Sequence, residues 1–189
     1  MTFLLRMREA SFGAVDAAVG PMTLDVRPRE RAVRTCATPR EAAVTALLAA
    51  GIVKASRGTV LIDQYDPRVQ PAHCKRIAAF VPHAALPFDG VAEFERYVVY
   101  RAALWDVDPM RAVAHAKLTL ERLAGVHEAF AYPLAAALVG TPRLVVMDRP
   151  QSVYAEQILA AVGDCAVFST HLDASAARAF SGEARREIH

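Results

Sequence analysis

Short runs in which apolar residues alternate with polar ones or cluster mark the first 35 positions: FLLRM, MTLDV and RAVRTC, separated by GAV, VGPM and RPRE. A period of two sends successive side chains to opposite faces of a strand, so strands are expected near 2–7, 21–26 and 31–35. From Pro39 to Ala50 the pattern changes to alanine and leucine, both strong helix formers. Thr38 can cap this segment, Pro39 suits its first turn and Gly51 follows its end. The stretch therefore predicts a strand, a tight loop and a helix.

Further along, GTVLID (58–63) and RIAAFVP (76–82) predict two more strands, joined by the polar, proline-bearing QYDPRVQPAHC. Three segments, 91–105, 109–125 and 127–140, space their apolar residues by three and four and predict helices. Pro133 is expected to kink or break the third. RLVVMD (143–148) and CAVFST (165–170) are apolar almost throughout, as strands buried on both faces are, and the helical SVYAEQILAAVG lies between them. That is a crossover closing a parallel sheet. No repeat, low-complexity run or linker divides the chain, so one domain is expected.

Composition narrows function mainly by exclusion. A chain of 189 residues with 54% hydrophobic content can bury a substantial core. A formal net charge of +2 gives no global basic field, and nucleic acid is not expected as a partner. Cys36, Cys74 and Cys165 are odd in number and far apart, which argues against a disulfide framework or a structural zinc site and for a reducing cytosol. The apolar run VTALLAAGIV (44–53) is too short to cross a bilayer, and the amino-terminal residues lack a secretory pattern.

Seven stretches follow one another in a telling order: SFGAV (11–15), MTLDVRPRER (22–31), the loop and helix from Glu30 to Gly51, SRGTVLIDQYDP (56–67), IAAFVPHAALPFDGVAEFERYVVY (77–100), ALVGTPRLVVMDRP (137–150) and VFSTH (167–171). In that order the chain resembles, over nearly its whole length, the ATP-binding subunit of ABC transporters. The resemblance implies an α/β, P-loop NTPase-like fold: a mostly parallel sheet with N-terminal antiparallel strands and a reduced helical insertion. It implies a single domain over 1–189, with 1–82 and 137–189 as the nucleotide-binding-type core and 83–136 as the insertion.

Most functional residues implied by the resemblance are replaced. Ala42 stands where the phosphate-binding lysine belongs and Ala43 where the magnesium-binding hydroxyl belongs. Cys36, Pro39 and Glu41 occupy glycine positions of the loop, Pro39 removing an amide donor and Glu41 adding a repelling charge. Asp148 matches the first carboxylate of the strand motif, but Arg149 takes the place of the catalytic glutamate, and a guanidinium cannot act as a base. His83 replaces a glutamine, while His171 matches the switch histidine. The stretch LAGVHEAFAYPL (123–134) lacks the serine–glycine pair of the signature loop, and QSVYAEQ leaves Tyr154 and Ala155 where a Leu-Asp dipeptide is usual. Each remnant also has a structural reading: Asp148 and Arg149 as an ion pair, His171 as a partly buried histidine, Arg34 and Arg40 as solvated arginines, Phe12 as core.

The expectation is a degenerate ABC ATPase-like subunit that does not hydrolyse ATP and serves docking, scaffolding or regulation. No catalytic residue, metal ligand or cofactor is assigned, although the resemblance implies ATP and magnesium. Phe12, Arg40 and His83 are candidates for residual nucleotide contact, which keeps open a nucleotide-binding, non-hydrolysing subunit. Docking candidates are His83, Phe88, Phe94, Tyr97 and Tyr100. The resemblance implies a transmembrane permease or a catalytically active ATPase subunit as partner, with a homodimer also open. It implies a cytoplasmic location, or a peripheral one at the inner membrane face through the permease. An alternative of another class is an enzyme using Cys36, placed where a helix N-terminus can stabilise a thiolate; yet Ala42 stands six residues on, where a Cys-dependent phosphatase needs arginine.

Overall fold

The computed structural model describes residues 2–13, 19–83 and 88–181. β1 (Leu5–Phe12) and β2 (Val19–Val26) pair antiparallel, with Leu5 opposite Val26 and Phe12 opposite Val19. β1 begins later than expected and continues through Phe12, shifting register where Glu9 takes a φ of +48°. The next strand is β3 (Arg31–Thr35), followed by helix α1 (Pro39–Ala49). β4 (Arg57–Ile62) joins the first pair to give a sheet ordered β2-β1-β4.

α1 forms as its flanking residues dictate. Thr38, in extended backbone, caps it by accepting from the Glu41 N–H at 3.1 Å, and Gly51 beyond its end has a φ of +68°. The helix touches β1 and β2 on one side and β6 (Leu144–Asp148) and β7 (Ala166–His171) on the other. Beyond the exposed Pro39 and Arg40 of its first turn, the helix has no exposed residue, and its small alanines let both layers approach. Thr38→Ala is expected to cost about 1 kcal/mol, read as a lower urea midpoint with an unchanged slope.

Further elements depart from the sequence expectation. Residues 71–74, expected within the polar connection, and 76–77, expected to open a strand, form helix α2 (Pro71–Ile77), started by Pro71 at its first position; among its residues only Cys74 is buried. The strand expected at 76–82 is accordingly the shorter β5 (Ala78–Val81). Pro133 does not break its helix: after α3 (Val91–Trp105) and α4 (Pro109–Arg122), α5 runs Glu128–Leu138 straight through the buried proline. Pro133 is the sixth residue of the helix, where it forgoes one i→i−4 hydrogen bond without breaking the helix, and its ring is buried.

β3, β7, β6 and β5 form the parallel sheet in that order. α6 (Ala155–Val162) makes the crossover between β6 and β7, and α7 (Ala174–Phe180) follows β7. The strands sort by parity. Ala32, Leu144, Val146, Ala166 and Phe168 face α1 and the antiparallel sheet, whereas Val33, Val145, Met147 and Val167 face a core shared with α5, α6 and α7. A third cluster joins α3, α4 and α5 through Phe94, Val98, Ala102, Ala112 and Ala116. No helix among the described residues is long and apolar enough to cross a membrane.

Candidate functional site

The carboxyl ends of the parallel strands gather most of the residues singled out by sequence. Asp148 lies opposite Thr170 in the β6–β7 register. Its side chain is 6% exposed and is held from three directions. Arg149 Nε donates to Oδ1 at 2.9 Å and Nη2 to Oδ2 at 3.1 Å, while the Thr170 hydroxyl donates to Oδ1 at 3.3 Å. The pair is a two-pronged guanidinium–carboxylate fork, the strongest common geometry for such groups. Arg149 adopts a φ of +47°, its N–H donates to the Thr170 carbonyl at 3.0 Å, and His83 Nδ1 lies 3.1 Å from its carbonyl. The left-handed backbone turns the side chain following Asp148 back onto Asp148 itself. This is the ion-pair alternative read from sequence, with His83 added to it.

His171 does not join this group. Strand parity puts Ser169 and His171 on the opposite face from Thr170, where the Ser169 Oγ lies 2.8 Å from His171 Nε2 and the ring packs 5.2 Å from that of Phe180 on α7. The residue is 1% exposed, and burial pushes the imidazole's pKa down to about 4 against the opposing influence of Asp173. It is a buried neutral histidine in a helix-packed environment.

At the start of α1, Ala42 is fully buried and Arg40 exposed. The residue that organises the loop is Glu41. One carboxylate oxygen accepts from the Ala37 N–H at 2.9 Å and the other from Arg34 Nη2 at 3.4 Å. Sequence reading assigned Glu41 only a repelling charge. The spacing Thr38-x-x-Glu41 is the signature of a capping box, in which the third helical residue reaches back to an amide before the helix, and that signal was available. Arg34 comes up from β3 with its side chain 13% exposed and its Nε without a hydrogen-bond partner.

The Cys36 alternative meets two obstacles. Its residue is 2% exposed, with its N–H extending the ladder to the His171 carbonyl at 2.8 Å. Burial first, and then the Glu41 charge, push the thiol above its usual range. A nucleophilic cysteine needs the reverse. Phe12, offered as an adenine-stacking group, ends β1 and packs on the core of the antiparallel sheet; of the stretch read with it, residues 14 and 15 lie outside the described residues.

Among the docking candidates, Phe94 is 1% exposed and belongs to the core, stacking on Tyr132 of α5 with centroids 4.7 Å apart. Phe88 packs against Phe94, Tyr97 and Tyr132, and the half-buried Tyr97 accepts from Arg101 Nη1 at 3.3 Å. The expectation that Phe94 contacts a partner is corrected, because an aromatic at a core position of α3 is covered by its own fold. Tyr100 is exposed at 60%, together with Val99 and Leu104 on α3 and Met110 on α4, three residues that sequence reading did not single out. Residues 84–87, beside His83, lie outside the described residues.

Comparison with known proteins places the fold. An ATP-binding subunit of an ABC transporter superposes over 94% of this chain and 83% of its own length, with a TM-score of 0.75 and 15% identity. The ATP-binding cassette MJ0796, dimeric in a post-hydrolysis state with ADP and Pi, superposes over 93% of this chain and 91% of its own, with a TM-score of 0.69 and 14% identity. CbiO1 from Clostridium perfringens, part of the ABC transporter complex cbiONQ, does so over 90% and 79%, with a TM-score of 0.63 and 13% identity. The chain has the α/β fold of ATP-binding cassette domains. No family profile and no curated protein matches its sequence.

Proposed function

We propose that this chain is an ABC ATPase-like subunit that does not hydrolyse ATP and acts as a docking, scaffold or regulatory component of a transporter complex. The observation that carries this reading is the fork of Arg149 on Asp148. It places a fixed positive charge on the carboxylate that would otherwise approach magnesium, and leaves no carboxylate at position 149 to polarise water. The residues present do not fit a magnesium–triphosphate: Ala42 brings no cation, Ala43 no hydroxyl, and Pro39 no amide donor. Losses among groups that act as a unit leave little for the survivors to do.

The fold itself favours work through partners. CbiO1 is part of a transporter complex and MJ0796 is dimeric, so a permease or a second cassette subunit is the partner class proposed here, with the chain held at the inner membrane face through it. The exposed Tyr100 and Leu104 of α3 are the groups proposed to meet that partner. The purified chain, incubated with ATP and magnesium, is expected to release phosphate no faster than the protein-free control, and calorimetry is expected to show no micromolar nucleotide binding. From its native cell it is expected to co-purify with a permease or ATPase subunit, and Tyr100→Glu with Leu104→Glu is expected to reduce that recovery about tenfold. Turnover above the control, or recovery of the chain alone, refutes the reading.

A further inference from the structure

α3 turns an apolar face to solvent. Phe94, Val98 and Ala102 are its buried residues, and after Val91 its exposed ones are Ala92, Arg96, Val99, Tyr100, Ala103 and Leu104. At roughly 100° per residue these fall within about 140° of arc, and a contiguous apolar stripe of this kind marks an interaction surface. Its one charge is Arg96. The carboxylates nearest to it along the helix are occupied, Glu93 by the Asp89 N–H and Glu95 by Lys117 Nζ at 2.8 Å. Arg101, also on α3, lies 5.8 Å from the ring of its own Tyr97 and 5.9 Å from that of Trp105. Among the described residues Arg96 has neither an anion nor a ring.

The stripe is complementary to itself. Tyr100 stands one turn beyond Arg96 on the same face. Set a second copy antiparallel against it, with Val98 level with its counterpart, and each Arg96 meets the partner's Tyr100 while each Ala92 meets the partner's Leu104. Both contacts occur twice, as a two-fold axis requires. A guanidinium over a tyrosine ring is attractive without any carboxylate, and a large side chain packs over a small one. No two arginines stand opposite one another.

We infer that α3 is the contact of a homodimer in which two copies of this chain pack this face antiparallel, each Arg96 guanidinium lying on the partner's Tyr100 ring. This deepens, and rests on, the docking reading by naming the second subunit as another copy of the chain. One helix face a side is far less than the roughly 20–30 residues of a standard interface, so the Kd is expected to be on the order of tens of micromolar.

Sedimentation equilibrium of the intact chain, from about 1 to about 500 μM, tests this: the average mass is expected to rise from that of one chain toward that of two. Tyr100→Ala and Arg96→Glu are each expected to raise the Kd at least tenfold, with the circular dichroism of the parent retained. Tyr100→Arg is expected to be monomeric because it sets arginine against Arg96. Mixing equal amounts of the Arg96→Glu and Tyr100→Arg chains is expected to restore dimers, since a carboxylate of one then faces a guanidinium of the other, a rescue that a folding defect would not give. A parent monomeric throughout, an unchanged Kd in Arg96→Glu, or a mixture that stays monomeric overturns the inference. Capture of a permease by a chain that remains monomeric sinks the homodimer and leaves the docking reading standing, whereas phosphate release from ATP by a dimeric parent sinks the non-hydrolysing reading alone.

Discussion

Arg149→Ala is expected to destabilise the fold by about 3 kcal/mol, the lower end of what breaking a buried ion pair costs. The reason lies in what remains. Asp148 is 6% exposed at its side chain, and removing the guanidinium leaves its charge with the Thr170 hydroxyl as its single side-chain donor. Alanine is the right replacement because it shares with arginine the cost of the left-handed backbone at φ +47°, so the measured change belongs to the side chain. Arg149→Glu, which would put a carboxylate where the resemblance implies a catalytic one, is expected to be worse than alanine because it sets two like charges side by side. Asp148→Asn combined with Arg149→Ala should recover stability relative to Arg149→Ala alone, since the buried charge is gone. Urea unfolding of the four proteins measures this directly. If Arg149→Ala lies within about 0.5 kcal/mol of the parent, the range of an ordinary surface change, the fork is solvated and carries no weight.

That pair also marks where sequence reading succeeds and where it stops. β6 and β7 are legible because both faces are buried, which leaves a continuous apolar signature, and α1 is legible because Thr38, Pro39 and Gly51 bound it with three separate signals. α2 is not, since its short span buries only Cys74 and shows no apolar period. α7 escapes for a similar reason, with Ala177 and Phe180 its only buried residues. At the site, identities such as Ala42 and Arg149 can be read by position. What they do to one another depends on register. Only the pairing of Asp148 with Thr170 decides that His171 turns to the far face, and only the backbone of Arg149 decides that its guanidinium returns to its neighbour.

His171 gives the molecule a second expected result, a loss of stability on mild acidification. An unfolded histidine titrates near pH 6.5, whereas burial holds this one at about 4 in the fold, with Asp173 opposing. The folded state therefore binds fewer protons than the unfolded state throughout that window, and stability rises with pH across it. The contribution is fully present above about pH 6.5, declines as pH falls below that, and is gone by about pH 4, for a total of roughly 3 kcal/mol. Carboxylates act lower down. Asp25, whose burial raises its pKa but is outweighed by hydrogen bonds from Arg8 and Arg6, loses its contribution only as pH falls through the carboxylate range. The two windows can be separated with His171→Gln, which keeps a polar group near the Ser169 hydroxyl and removes the titration. Urea midpoints at intervals from pH 7.5 to 4.5 should fall steeply in the parent and much less in the variant. Parallel slopes in the two proteins would mean that His171 titrates normally and that the packing of its ring against Phe180 leaves it open to water.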